Sequence, residues 1–261
     1  MITLKTEEQI QRIKESNRIL GITLAEVAKA IQPGVSTLQL DKIAEQCIRD
    51  HGAIPGCLGY EGFPATLCTS VNDVVVHGIP SDKVVLKDGD IITIDTTVLK
   101  DGFYGDFAYT FPVGNISAEA RKLLTVTKES LYKGIAQAVA GHRLGDVSNA
   151  IQVHNESNGY SVLRELAGHG IGREMHEDPQ VDNYGMRGNG KKLVPGMVIC
   201  IEPMVCQGER YVNFDDDGWT VRTADHKLSA HYEHCVVIRK GQAEILSSYD
   251  LIKEVLKERF I

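Results

Sequence analysis

Residues Gly89 to Phe111, GDIITIDTTVLKDGFYGDFAYTF, decide the fold. Two runs rich in Ile, Thr, Val, Phe and Tyr flank Asp101-Gly102, a dipeptide suited to the tight turns that join antiparallel strands. A two-residue loop there pairs Lys100 with Phe103 and sets Asp106 opposite Thr97. Asp95 and Thr97 share a face of the first strand, so the carboxylates of Asp95 and Asp106 point the same way, one pair apart. Two ionised carboxylates in an otherwise apolar hairpin repel each other, and burying each costs on the order of several kcal/mol. A cation between them is expected, and the rest of the chain can be searched for the side chains that share it.

The chain has 261 residues, 43% of them hydrophobic, enough to bury a large core. A single catalytic domain over 1–261 is expected. A formal charge of −7 speaks against a polyanionic partner, so no nucleic-acid sequence recognition is anticipated. No run of 18 apolar residues occurs, and the start, MITLKTEEQIQRIKES, lacks the apolar centre of a secretion signal. These features predict a cytoplasmic protein with no membrane attachment. Cys47, Cys57, Cys68, Cys200, Cys206 and Cys235 form no CxxC pair and lie in apolar surroundings, which suits reduced, buried thiols.

Along the chain, Thr6 with Gln9 reads as a capping box for a long helix whose apolar stripe runs from Ile10 to Ile31 and stops at Pro33-Gly34. Ser36 or Thr37 caps a second helix ending at Gly52. A loop dense in Gly and Pro follows, then a strand over 67–76 and the hairpin. Ser117 opens a third helix, a shorter one fits 146–158, and strands with glycine-rich connections lead to a terminal amphipathic helix over 248–261. LKDGDIITIDTTV (Leu86 to Val98) returns as LVPGMVICIEPMV (Leu193 to Val205), with Leu, Gly, Ile and Val coinciding at a constant offset of 107 residues. At that offset Asp95 meets Glu202. His-Gly-Ile also occurs twice, at His77 and at His169. The chain therefore reads as an α+β duplication, halves 1–112 and 113–247, with a pocket at the seam.

Glu202 and Glu233 each sit in what reads as an apolar strand, where a lone Glu is expected only with a partner. Together Asp95, Asp106, His169, Glu202 and Glu233 make four carboxylates and one imidazole. Four negative charges sharing one pocket call for about two divalent cations or several raised pKa values. The oxygen-rich set leans towards manganese or iron(II), with cobalt or zinc also accommodated. Other motifs are weaker. GNGKK at Gly188 to Lys192 lacks the Ser or Thr and the spacing of a P-loop. Asp215-Asp216-Asp217-Gly218 lacks the later Glu of an EF-hand and reads as a turn into Trp219. His231-Tyr-Glu-His234 does not have the His-Glu-x-x-His order of a zincin.

On VNDVVVHGIP (71–80), IDTTVLKDGFYGDFAYTF (94–111), GHGIGREMHEDPQV (168–181), IEPM (201–204) and DGWTVRTADHKLSAHYEHCVVI (217–238), the chain resembles the type I methionine aminopeptidases over nearly its whole length. The resemblance implies the pita-bread (creatinase/aminopeptidase-like) fold, two pseudo-symmetric αβ halves around a central curved antiparallel sheet. It implies that Asp95, Asp106, His169, Glu202 and Glu233 hold two metal ions, with Asp106 and Glu233 bridging, and that His77 and His176 contact the scissile amide. It also implies a methionine pocket lined by Cys57, Tyr60, Phe63, Cys68, Met175 and Trp219, and a monovalent cation on main-chain oxygens of Asn72, Val74 and Ser229. Glu61 stands where some members carry His, and Met175 where Phe or Leu is frequent.

Two close divalent ions activate a bridging water, polarise the peptide carbonyl and accept a free α-amine, which restricts such a site to exopeptidase work. Glu202 is the candidate general base, His176 the oxyanion donor and His77 the group orienting the amide nitrogen. The expected partners are nascent polypeptides beginning with Met and a small second residue, and the ribosome from which they emerge. A monomer is expected. Two other readings are a proline-directed peptidase of the same fold and a non-catalytic binding member. The usual extra N-terminal domain of the first has no counterpart before the second helix, and the intact ligand set disfavours the second.

Overall fold

The computed structural model describes residues 2–261; Met1, at which the expected domain and its first half begin, lies outside the described residues. Helix α1 (Glu7–Ala30) starts as anticipated: Thr6 Oγ1 accepts from Gln9 N at 3.3 Å, and Thr6 N donates to Gln9 Oε1 at 3.0 Å. Helix α2 (Thr37–Asp50) repeats the device with Ser36 and Gln39. In the second half, α3 (Ala118–Gln137) is capped by Ser117 and packs beside α4 (Leu144–Ser157). Helix α5 (Asp250–Leu256) is shorter than the terminal helix read from the sequence, because Lys257 takes a left-handed φ of 52° and only a 3-10 turn follows.

The strands of the first half are β1 (Ile54–Pro55), β2 (Cys68–Val71), β3 (Val74–Val76), β4 (Ile91–Lys100) and β5 (Phe103–Pro112). Those of the second are β6 (Ser161–Val162), β7 (Gly168–Gly170), β8 (Glu177–Val181), β9 (Val198–Ile201), β10 (Met204–Cys206), β11 (Val212–Phe214), β12 (Val221–Thr223), β13 (Ser229–His231), β14 (His234–Val237) and β15 (Glu244–Ile245). Every ladder is antiparallel. The strand expected over 67–76 is two strands: Asn72 turns the chain at φ 54°, so that β2 pairs with β4 while β3 crosses to β12 of the other half.

The β4–β5 hairpin has the predicted register, Lys100 opposite Phe103 and Thr97 opposite Asp106, with Asp101 and Gly102 both at positive φ. Helix α1 seats directly on it. A Cβ on Gly105 would meet the backbone of Ser16 and Asn17, and Ser16 Oγ donates to Phe103 O at 2.9 Å. The halves meet where β5 faces β14: Glu233 N donates to Ala108 O at 3.1 Å. Around this seam lies the main core, including Phe107, Tyr109, Phe111, Tyr232 and Tyr249. No described helix is long and apolar enough to cross a membrane.

The loop leading into β2 is tied to α2 by a buried carboxylate. Asp41 Oδ1 accepts from Thr66 N at 2.9 Å and Leu67 N at 2.8 Å. Asp41→Ala leaves two buried N–H groups without an acceptor and is expected to cost roughly 2–4 kcal/mol. Denaturant unfolding should read that loss, with a clearly smaller one for Asp41→Asn, which keeps an acceptor oxygen.

Candidate metal centre

The face of the hairpin that carries Asp95 and Asp106 opens into a cavity of about 250 Å³. His169, Glu202 and Glu233 line the same cavity, as do His77, His176, Cys57, Tyr60, Phe63, Cys68, Met175 and Trp219. All the residues singled out in the sequence for the metals, the amide and the methionine pocket are thus brought to one place. His169 Nε2 lies 3.4 Å from Asp106 Oδ2 and 3.7 Å from Glu202 Oε1. Ligand atoms of Asp106, His169 and Glu233 all lie within 4.8 Å of one another.

Glu202 and Glu233 do not lie inside strands as expected. Glu202 follows the end of β9, and Glu233 precedes the start of β14. Register carries through the gap, since Ile201 pairs with His234 and Met204 with His231, so Glu202 stands opposite Glu233. The ladder breaks there for two reasons. Pro203 has no N–H to give, and Glu233 spends its own on Ala108 across the seam. Tyr249 holds the gap open: its hydroxyl lies 3.0 Å from Ala108 O and 2.9 Å from Glu233 O, and accepts Glu233 N at 3.1 Å. Asn183 Nδ2 donates to Glu202 O at 3.0 Å.

His169 is delivered by β7, flanked by glycines for a steric reason. A Cβ on Gly168 would strike Cys200 O, and one on Gly170 would strike Asp178 O. Its Nδ1 donates to Gly170 O at 2.9 Å, since a carbonyl can only accept. In the neutral ring that leaves the Nε2 lone pair facing two carboxylates. The electrostatics agree. Burial, and after it the neighbouring Asp106, pushes the Asp95 carboxyl well above its usual range. Glu202 and Glu233 are raised in the same way. Glu233 Oε1 is buried and has no hydrogen-bond partner among the described residues. A lone pair, an orphaned carboxylate oxygen and mutually repelling carboxylates are what a cation satisfies, so this donor set fits divalent metal.

Cys200 also comes within 4.8 Å of the cluster, although its place in an apolar run marks it in the sequence only as a structural thiol. Burial raises its thiol well above the ordinary value, so it stands beside the carboxylates as a neutral group. Thr97, Val76, Leu166, Ala167 and Met204 line the cavity as well. Only Thr97 had a signal in the sequence, its shared face with Asp95.

His77 sits at φ 58° at the end of β3, where a sharp turn points it into the cavity. Burial lowers its pKa to about 4, with His176 and Asp106 as smaller influences of opposite sign. His176 is lowered too, by burial first and then by His169, and Tyr60 OH lies 2.8 Å from its Nδ1. Both imidazoles are neutral at pH 7. The apolar end of the cavity is a separate small cluster of Cys57, Phe63, Ala65 and Cys68, with Trp219 against it. Phe63 and Trp219 meet edge to face, centroids 5.2 Å apart. Trp219 is aimed by the acidic turn before it, where Asp217 Oδ1 accepts from Trp219 N and Thr220 N, both at 2.8 Å. Met175 Sδ lies 3.9 Å from Thr97 Oγ1, which shares a strand face with Asp95.

Comparison with known proteins bears on this site. A model of the family described as "Metallopeptidase family M24" matches residues 11–240. A methionine aminopeptidase of Clostridium perfringens is 53% identical over 247 residues, covering 95% of this chain and 99% of that protein. The crystal structure of methionine aminopeptidase from Rickettsia prowazekii superposes with a TM-score of 0.93 at 40% identity, over 95% of this chain and 100% of that one. A prolidase from Pyrococcus furiosus superposes at 0.76 with 21% identity, over 94% of this chain and 65% of that one, a likeness of fold alone.

Proposed function

Because the chain belongs to metallopeptidase family M24, and within it to the methionine aminopeptidases, we propose that Asp95, Asp106, His169, Glu202 and Glu233 hold two divalent ions for removal of N-terminal methionine. The enzyme is a metal-dependent aminopeptidase. The observation that carries the site assignment is the His169 lone pair turned towards Asp106 and Glu202, with Nδ1 already committed to a carbonyl. When bound, the ions would supply a Lewis acid for the scissile carbonyl, an anchor for the free α-amine and a lowered pKa for the attacking water. The rest is done by side chains. Glu202 takes the proton of the attacking water and returns it to the leaving amide nitrogen. His176 donates its Nε2–H to the developing oxyanion, and His77 orients the amide nitrogen. Cys57, Tyr60, Phe63, Cys68, Met175 and Trp219 enclose the methionine side chain, whose thioether suits sulfur and aromatic neighbours.

The whole of 1–261 acts as one catalytic domain, a monomer working in the cytoplasm on nascent chains with a small second residue as they leave the ribosome. Manganese or iron(II) suits the oxygen-rich ligands best, with cobalt or zinc as substitutes. A monovalent cation on the main-chain oxygens of Asn72, Val74 and Ser229 would brace the seam, where Ser229 N already donates to Asn72 O at 2.8 Å.

One assay tests the reading: release of Met from a Met-Gly-Met peptide and release from proline-containing peptides, each with and without chelator. Met release should stop on chelation and return with added divalent ion, while elemental analysis of the reloaded protein counts two ions per chain. Turnover indifferent to chelation contradicts the metal assignment, and turnover of the proline peptides in place of Met release contradicts the substrate.

A further inference from the structure

One buried imidazole beside the site has no part in the mechanism above. His231 ends β13 at 1% exposure, and neither ring nitrogen has a hydrogen-bond partner among the described residues. Its main chain is held on both sides: its N–H donates to Thr110 Oγ1 at 3.0 Å, and its carbonyl accepts from the same hydroxyl at 2.6 Å. Met204 pairs with it across the ladder, and the side chain is buried. Nε2 lies 3.6 Å from Glu202 Oε2, whereas the other oxygen of that carboxylate, Oε1, is the one near His169. Glu202 therefore shows one oxygen to the metal centre and the other to His231.

We propose that His231 is a positioning residue, donating Nε2–H to Glu202 Oε2 so that Oε1 stays turned to the metal centre and the attacking water. This rests on the assignment of Glu202 as ligand and base made above. The tautomer follows from the surroundings. A proton on Nε2 has a carboxylate oxygen within reach, whereas a proton on Nδ1 would be buried with nothing to receive it. At 3.6 Å the bond is not yet formed, and a carboxylate rotation of about half an ångström closes it, as contacts of this kind do when a site is loaded. A second group fixing a ligand from behind is the usual way in which a site holds its carboxylates in register.

Two variants and a spectrum test this. In the metal-loaded enzyme, His231→Leu should lower kcat about tenfold or more, with KM changed by less than about threefold, and His231→Gln, which keeps an N–H at similar reach, should restore most of it. In the zinc-loaded, unmutated protein, the nitrogen-15 signal of His231, assigned by its loss in His231→Gln, should show the Nε2–H tautomer; this readout stands even where the Leu variant fails to fold. An Nδ1–H signal, a Leu variant as active as the parent, or a Gln variant as poor as Leu overturns the inference. Glu202→Gln, measured alongside, separates the two failures. If it is inactive while His231→Leu is unaffected, only the role of His231 falls. If Glu202→Gln itself turns over normally, the reading of Glu202 falls, and that of His231 with it.

Discussion

Asp106→Asn is expected to lower kcat/KM about a thousandfold, equivalent to about 4 kcal/mol of barrier, while making the metal-free protein more stable. Asp106 is the carboxylate that raises Asp95, Glu202 and Glu233 alike, and it faces His169 at 3.4 Å. Neutralising it removes a charge that the proposed pair of ions needs and, without them, relieves repulsion on the order of 1 kcal/mol or more. In a chain of this size each kcal/mol moves Tm by about 2–4 °C. The opposed changes are the signature, since a variant that merely damaged packing would lose both activity and stability.

The same repulsion sets a pH dependence whose sign can be worked out. Asp95, Glu202 and Glu233 have folded-state values raised above the ordinary carboxylate range. Between about pH 4 and those raised values the folded, metal-free protein binds more protons than the unfolded chain, so its stability falls as pH rises through that window. Divalent metal reverses the trend, because it competes with those protons. Thermal scans of chelated and loaded protein across the window should diverge as pH rises.

His176→Ala should lower kcat by about 10²- to 10³-fold with bound metal unchanged, because on the proposed mechanism it removes an oxyanion donor and no ligand. Tyr60 prepares that donor. When its hydroxyl, 2.8 Å from Nδ1, gives its proton there, the imidazole keeps its own on Nε2. Burial above all holds the ring neutral, so it arrives as a donor that carries no charge into a cationic site. Tyr60→Phe should therefore cost less, roughly two- to tenfold, as the tautomer loses its guide. Elemental analysis of both variants separates this role from metal loss: a drop in bound metal would place His176 among the ligands.

How much of this could be read in advance differs from element to element. Asp101-Gly102 between two β-rich runs determines the hairpin, and a period of two then leaves no freedom about which face Asp95 and Asp106 share. Capping residues likewise mark α1, α2 and α3 from local chemistry alone. The four carboxylates of the proposed ligand set could be singled out because a carboxylate in an apolar run must find either a cation or a proton to be buried at all. What the sequence could not determine are the events at the seam between the halves. Whether Glu202 and Glu233 lie in a ladder or at its break depends on Ala108 taking the Glu233 N–H and on Tyr249 bracing the gap, partners far apart along the chain. Cys200 and His231 read as an ordinary thiol and a failed zincin motif, and only the pairing of β9 with β14 and the packing of β13 against the hairpin bring them beside Glu233 and Glu202. Local rules act over a few residues and so can be read in order, whereas the direction in which a carboxylate faces is settled by whatever the fold brings against its far side.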